Sequence, residues 1–291
     1  NQLFTRITAL YICLLLTLGL FYCGWEGYQG ITQAKFSMFC ALCGGYVLLM
    51  VLLGLECALI GRLKLPSPAA LFRRAGWTQR LMLAYLALTW LSALASPHWP
   101  KTVLGVSRFE GALSISIYVL SFLLVSAFGR AGARELAVFG GSALAFGWLC
   151  LLQLAGLNPF FLYPVGYGYR DAYKAYPGAY LGTVGNVGLV AALLCLVIPI
   201  LWVGVARLRG KARLALLPPL SVLLLVLVGI WVLAGLVGVF GGGLLMAPVV
   251  LPMPPKRRKA LAGAFLAGGL ACLALLYLAD FKPTLLHQVH S

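Results

Sequence analysis

The sequence predicts an all-α, polytopic integral membrane protein, a bundle of about nine transmembrane helices. Three observations predict it. Of 291 residues, 62% are hydrophobic and 10% charged, against roughly 45–50% and about 25% in soluble domains. The mean hydropathy is +0.99. Apolar stretches long enough to cross about 30 Å of hydrocarbon recur along the chain, parted by basic segments. This composition excludes a soluble enzyme, a disordered regulator and a nucleic-acid-binding module. The net charge of +16, from 22 Lys and Arg against 6 Asp and Glu, then reads as loops that hold a membrane topology, not as a surface for nucleic acid.

The first span is placed near Ile7–Tyr22. It lacks the small-residue cleavage site of a signal peptide, so it reads as a retained helix. The second, Phe36–Ile60, carries Cys40 and Cys43, which read as packing residues because no further ligands accompany them. Spans follow at Leu81–Ala95, Ala112–Phe128, Leu136–Leu154 and Gly182–Val205. The uncharged stretch Leu214–Leu251 would make one helix of about 57 Å. Two shorter spans, Leu214–Leu233 and Leu236–Leu251, hinged near Ala234 and Gly235, fit better, with Pro218 and Pro219 bending the first of them. Ala260–Leu278 is the ninth. The chain reads as one transmembrane domain over residues 1–291.

The cations fix an orientation. Sixteen of the 22 fall on one side of this arrangement: Arg6; Arg62, Lys64, Arg73, Arg74 and Arg80; Arg130 and Arg134; Arg207, Arg209, Lys211 and Arg213; and the run Lys256–Lys259. The positive-inside rule predicts a cytoplasmic N-terminus and an extracytoplasmic C-terminus. His98, His287, His290, Glu26, Glu110, Asp171 and Asp280 then lie outside. The ionisable chemistry is predicted to be extracytoplasmic.

No metal-ligand set, nucleotide loop or Ser/His/Asp spacing is present in the sequence, so no metal or cofactor is expected. The polar residues gather in two outer loops. The first, Ser96–Gly111, holds His98, Lys101, Arg108 and Glu110 among Pro97, Trp99 and Pro100. An arginine there suits a diphosphate or anionic headgroup; the alternative is an ion pair and snorkelling at the interface. The second loop, Asn158–Leu181, holds Tyr163, Tyr167, Tyr169, Tyr173, Tyr176 and Tyr180 with Arg170, Asp171 and Lys174. These tyrosines read as an interfacial aromatic belt, with stacking on sugar rings and Arg170 on a phosphate as the alternative. Gly182-Thr183-Val184-Gly185-Asn186 follows at the mouth of the sixth span. It permits either anion binding at exposed N–H groups or close packing of small residues. Glu56 reads as a partner for Arg62 by snorkelling.

Gly105-x-x-Arg108-x-x-Gly111 in an outer loop, followed some seventy residues later by Gly182-Thr183-Val184-Gly185-Asn186 opening a span, resembles the O-antigen ligase/polymerase superfamily of bacterial membrane proteins. The resemblance covers nearly the whole chain and matches the family's N-terminal membrane region. It implies a metal-independent glycosyltransferase of the plasma membrane. Such an enzyme moves a glycan from undecaprenyl diphosphate to an acceptor sugar hydroxyl at the outer face. It carries over onto Arg108 and Gly111 and onto Gly182, Gly185 and Asn186; with Lys101, Glu110, Tyr169 and Arg170 read from the two outer loops, Arg108, Gly182, Gly185 and Asn186 form the expected substrate-binding set, among membrane lipids, a lipid-linked glycan and a sugar acceptor. Val187 and Gly188 stand where the family continues with Pro and Asn. Trp231–Gly238 stands where the family often has a Ser-Arg pair. The family's large extracytoplasmic loop, with its catalytic His, would begin near Ser291, so the chain reads as cut before it; neither His287 nor His290 matches that residue. The competing readings are a lipid or glycan transporter, disfavoured by the shortage of intramembrane ionisable residues, and a catalytically inactive membrane partner in an envelope assembly.

Overall fold

A computed structural model describes residues 2–61, 73, 75–106, 108–176, 178–250, 254–261, 263–264 and 267–268. It is an all-α membrane bundle: five helices are long and apolar enough to cross a membrane, and two shorter apolar helices, Ala112–Phe128 and Leu233–Met246, accompany them. The predicted ninth span, Ala260–Leu278, lies largely outside the described residues, as do Arg62, Lys64, Arg74, Asp280, Lys282, His287 and His290. Ten helices are labelled in chain order, the first nine being α1 Gln2–Leu14, α2 Ile31–Phe39, α3 Gly45–Leu59, α4 Trp77–Ala95, α5 Trp99–Leu104, α6 Ala112–Phe128, α7 Ala133–Leu154, α8 Val187–Arg207 and α9 Gly210–Ile230. The tenth is α10, Leu233–Val250. A two-residue strand β1, Tyr180–Leu181, pairs with β2, Gly185–Asn186.

Two features were not legible as span boundaries. A wide turn, Leu15–Gly19, continues α1, and another, Cys40–Gly44, joins α2 to α3 into one apolar rod from Ile31 to Leu59. Such π segments shift the side-chain register locally. The rod also starts five residues before the predicted Phe36 because Lys35 has an internal outlet for its charge, described below. The predicted hinge at Ala234 and Gly235 falls three residues earlier. Trp231 ends α9 in the left-handed region, with φ 50°, and α10 begins at Leu233. The uncharged stretch is therefore two helices, broken at Trp231–Val232. Pro218 and Pro219 lie inside α9.

The chain divides into two compact units. The first comprises residues 1–142 and 155–185. Its core packs Phe4, Tyr11, Cys43, Tyr46, Val47 and Met50, with Ile117, Leu124 and Phe128 of α6 against them. Several polar atoms here are matched, whereas the buried Ser121 Oγ of α6 has no hydrogen-bond partner among the described residues. Thr8 Oγ1 donates to the Phe4 carbonyl at 2.8 Å and lies 2.9 Å from the Tyr46 hydroxyl. The Tyr11 and Tyr46 rings stack at 3.9 Å, and the Tyr11 hydroxyl donates to Cys43 Sγ at 3.2 Å. The wide turn at Cys40–Gly44 buries Cys43 while Cys40 is exposed, so Cys43 works as a packing residue and hydrogen-bond acceptor. Trp90 Nε1 donates to Ser116 Oγ at 2.9 Å, joining α4 to α6.

The second unit comprises residues 143–154 and 186–291. Its described helices approach through small residues, the usual way in lipid, where apolar burial alone gives little drive for helix association. On α10, Gly235 lies against Ala191 and Gly238 against Cys195, and Cys195 Sγ reaches the Gly235 carbonyl at 3.5 Å. A methyl carbon at Gly235 would sit 2.9 Å from the Ala191 methyl. Ala191 is 2% exposed and has no flexible end to withdraw. Gly241, on the same helix, has nothing within 4 Å. Gly235→Val should therefore lower stability by about 1–3 kcal/mol through overpacking, whereas Gly241→Ala should raise it by up to about 1 kcal/mol through helix propensity. Thermal unfolding of the detergent-solubilised protein reads both; shifts of the same sign would refute this packing.

Candidate functional site

The Arg108 loop is closed at its neck by two glycines. Gly105 ends α5 with φ +82°, a conformation that disfavours a side chain. Gly111 precedes α6, and a methyl group there would collide with the Val103 carbonyl and approach the Gly105 nitrogen to 2.5 Å. A methyl group at Gly105 would in turn come within 2.6 Å of the Glu110 nitrogen. The chain thus crosses itself at backbone distance, and only glycine fits on both sides. Between the glycines, Phe109 turns inward with φ 56°. Its ring stacks on Phe36 at 4.3 Å, and its carbonyl accepts from Ser114 Oγ at 2.6 Å. Anchoring Phe109 inward leaves Arg108 and Glu110 exposed on either side of it. Neither forms an ion pair among the described residues, so the interfacial ion-pair alternative finds no partner here. Lys101, on α5, is also exposed. The short α5 is held to α4 by Thr102 Oγ1, which donates to the Ala93 carbonyl at 3.1 Å.

The tyrosine loop is organised by a residue that sequence reasoning passed over, Tyr28 in the α1–α2 connection. It is 2% exposed. Its backbone N–H donates to the Leu162 carbonyl at 3.0 Å, and its hydroxyl donates to the Gly182 carbonyl at 2.7 Å. Its ring meets Tyr163 at 4.8 Å, Tyr180 at 5.1 Å and Tyr176 at 6.1 Å. Tyr163 closes this cluster by donating to the Tyr180 carbonyl, and Asn158 brackets Tyr163 through both of its amide atoms. Three of the six tyrosines are therefore knit into a packed cluster, not spread as a belt. Tyr167 and Tyr173 remain exposed and Tyr169 half-buried. The adjoining Gly27 has φ +56° and lies against the Leu162 backbone, which leaves no space for a side chain there.

Arg170 is exposed on the turn Tyr169–Asp171. Asp171 does not engage it. One Asp171 oxygen accepts from the Gly168 N–H at 3.3 Å and the other lies 3.7 Å from Lys174 Nζ. Burial pushes the phenols of Tyr169 and Tyr176 above the usual tyrosine range, so both stay protonated at neutral pH; the buried Tyr176 hydroxyl has no hydrogen-bond partner among the described residues. Burial likewise pushes the Cys23 thiol up, which leaves it a poor nucleophile.

The segment Gly182–Asn186 comprises the hairpin turn at 182–184 and strand β2, and α8 starts at Val187, later than predicted. Gly182 and Gly185 hold φ of +62° and +106°. Thr183 Oγ1 donates to the Leu20 carbonyl at 2.7 Å. Lys35 Nζ donates to that same carbonyl at 2.7 Å and to the Gly19 carbonyl at 3.1 Å. Asn186 caps α8, its Oδ1 accepting from the Gly188 N–H at 2.7 Å. One N–H that an anion could use is thus already engaged by the cap. The eight sequence-derived site residues separate by environment. Lys101, Arg108, Glu110 and Arg170 face solvent with half-buried Tyr169, while Gly182, Gly185 and Asn186 shape the backbone. Among the described residues, no hydrogen bond or ion pair joins the Arg108 loop to Tyr169 or Arg170. No group of three or more metal-ligating side chains occurs among the described residues.

No family model, characterised protein or solved structure matches this chain.

Gly111→Ala should destabilise the protein by about 1–3 kcal/mol, because carbonyl and amide backbone atoms must shift to admit the methyl group. Asn186→Ala should cost about 1 kcal/mol through loss of the cap, and Asn186→Asp should retain most of it. Arg108→Ala should leave stability unchanged. Thermal melts of the four variants check this ordering, and an Arg108→Ala loss as large as that of Gly111→Ala would show that Arg108 is structural.

Proposed function

We propose that this protein is the membrane region of a lipid-linked glycan ligase or polymerase, which transfers a glycan from undecaprenyl diphosphate to an acceptor sugar hydroxyl at the outer face of a bacterial plasma membrane. The observation that carries the reading is the glycine-necked loop that holds Arg108 outward while Phe109 is pinned inward. A neck closed by backbone contacts between Gly105 and Gly111 limits where the Arg108 main chain can go, and its exposed guanidinium suits fork-like binding of phosphoryl oxygens. The topology proposed with it has nine spans, a cytoplasmic N-terminus and an extracytoplasmic C-terminus, following the distribution of basic residues.

In the proposed reaction the acceptor hydroxyl oxygen forms a bond to the anomeric carbon of the donor. The bond from that carbon to the diphosphate oxygen breaks, and undecaprenyl diphosphate leaves with the electron pair. Arg108 and Lys101 stabilise the negative charge that grows on the leaving group. Glu110, two residues from Arg108, accepts a hydrogen bond from a sugar hydroxyl. Arg170 and Tyr169 extend the contact along the glycan. The hydroxyl proton passes to a base outside this set.

Undecaprenyl diphosphate binding to the protein in nanodiscs tests the reading. Arg108→Ala should weaken binding about tenfold or more, the effect of losing a charged hydrogen bond, Arg108→Lys should give an intermediate loss, and Arg130→Ala should have no effect. Equal affinity of Arg108→Ala and the parent protein would overturn the site. The topology has its own check: a cysteine placed at Lys101 should react with a membrane-impermeant maleimide in intact cells, and one placed at Arg209 should react only after the membrane is opened. The reverse pattern would overturn the orientation while leaving the binding result interpretable.

A further inference from the structure

Up to Gly268 the second unit carries cations without anions. From Asn186 to Gly268 the sequence holds eight Lys and Arg and no Asp or Glu, and the unit's other segment, Ala143–Leu154, holds neither. Four of the eight, Arg207, Arg209, Lys211 and Arg213, occupy the junction where α8 ends and α9 begins. Beside this junction lies a groove of about 450 Å³ formed by α8, α9 and α10. That volume is in the range of ligand-sized pockets. Its walls are apolar except at Arg213, which is exposed. Trp202 and Ala206 of α8 form one wall, and Gly243 and Met246 of α10 form the other. The Trp202 ring lies directly on the bare backbone of Gly243, where any side chain would strike the indole, so the glycine sets where this wall stands.

We infer that this groove binds an anionic phospholipid, with an acyl chain between α8 and α10 and the headgroup phosphate on Arg213 and its neighbouring cations. Two physical requirements point to that occupant. An acyl chain gains little by leaving other lipid tails for an apolar groove, so any preference must come from the headgroup. The headgroup end of the groove offers a guanidinium suited to phosphate oxygens, within a unit whose described residues supply no carboxylate to neutralise it. A zwitterionic lipid would bring its own cation to a site already rich in them. A soluble phosphate would meet the charge but leave the apolar walls unfilled.

The test uses the full chain in detergent micelles, titrated with dioleoylphosphatidylglycerol or dioleoylphosphatidylcholine and read by native mass spectrometry, with glycerol 3-phosphate as a competitor lacking acyl chains. Phosphatidylglycerol should be retained in preference to phosphatidylcholine, and glycerol 3-phosphate should not displace it. Arg213→Gln should weaken retention roughly fivefold, the equivalent of about 1 kcal/mol per cation near an anionic surface. Ala206→Trp should weaken it with every charge intact, because it fills the groove. Arg213 and Ala206 are both exposed, so neither substitution disturbs the packed core. Arg6→Gln, at an exposed cation of the first unit, should have no effect. Equal retention of the two lipids, displacement by glycerol 3-phosphate, an unchanged Ala206→Trp protein, or a loss in Arg6→Gln matching that in Arg213→Gln would each overturn the inference. The last of these would identify a diffuse surface-charge effect in place of a site.

Discussion

The carbonyl of Leu20 sits where the turn continuing α1 runs out, so no later residue of that helix bonds to it in the usual way. In hydrocarbon or at its edge, an unmatched carbonyl costs several kcal/mol, and here two side chains meet it: the ammonium of Lys35 and the hydroxyl of Thr183. One donor comes from α2 and the other from the hairpin far along the chain. The need to satisfy one helix end thus ties three segments together, and Tyr28 adds a fourth tie by donating to the Gly182 carbonyl one residue away from Thr183. This end of the first unit is built around those bonds. The tyrosine cluster fills the space they define.

The same constraint sorts the cations that lie against the prevailing charge asymmetry. Lys35 is half-buried and engaged by helix-end carbonyls, which gives it a structural reason to be where it is. Lys174 has a carboxylate neighbour in Asp171. Arg108 and Arg170 have neither kind of partner among the described residues, and both are exposed. A cation whose placement is not explained by backbone or carboxylate is the sort that a ligand explains. That argument, more than any motif, separates Arg108 from Lys35, although both are single basic residues on the same predicted face.

Helices lie at each of the first eight predicted spans, and five helices are long and apolar enough to cross a membrane, because long apolar runs reflect the backbone requirement directly. What escaped were the features set by contacts between distant segments. The rod Ile31–Leu59 could start before Phe36 only because carbonyls of α1 receive Lys35. The break at Trp231 uses a left-handed non-glycine residue, which local propensity argues against, whereas the predicted Gly235 is instead spent on a close approach to Ala191. Tyr28 looked like one aromatic among many, since burial by a loop some 135 residues later leaves no periodic signature. Gly105, Arg108 and Gly111 were legible as a pattern. That the glycines are a neck and Phe109 is its inward anchor required the coordinates.

The two glycine motifs of the sequence are unlike in kind. In and beside Gly182–Asn186 two donors that an incoming anion would want are in use, the Thr183 hydroxyl on the Leu20 carbonyl and the neighbouring Gly188 N–H on Asn186 Oδ1, and the Gly182 carbonyl accepts from Tyr28. Its contribution to any bound glycan is therefore through the shape it gives to the loop before it. In Gly105–Gly111 the glycines spend their conformational freedom on closing the neck, and the Arg108 guanidinium at its far side is left unengaged among the described residues. A substitution in the first motif should act through folding and one at Arg108 through binding. Where both lower function, melting temperature against ligand affinity separates them.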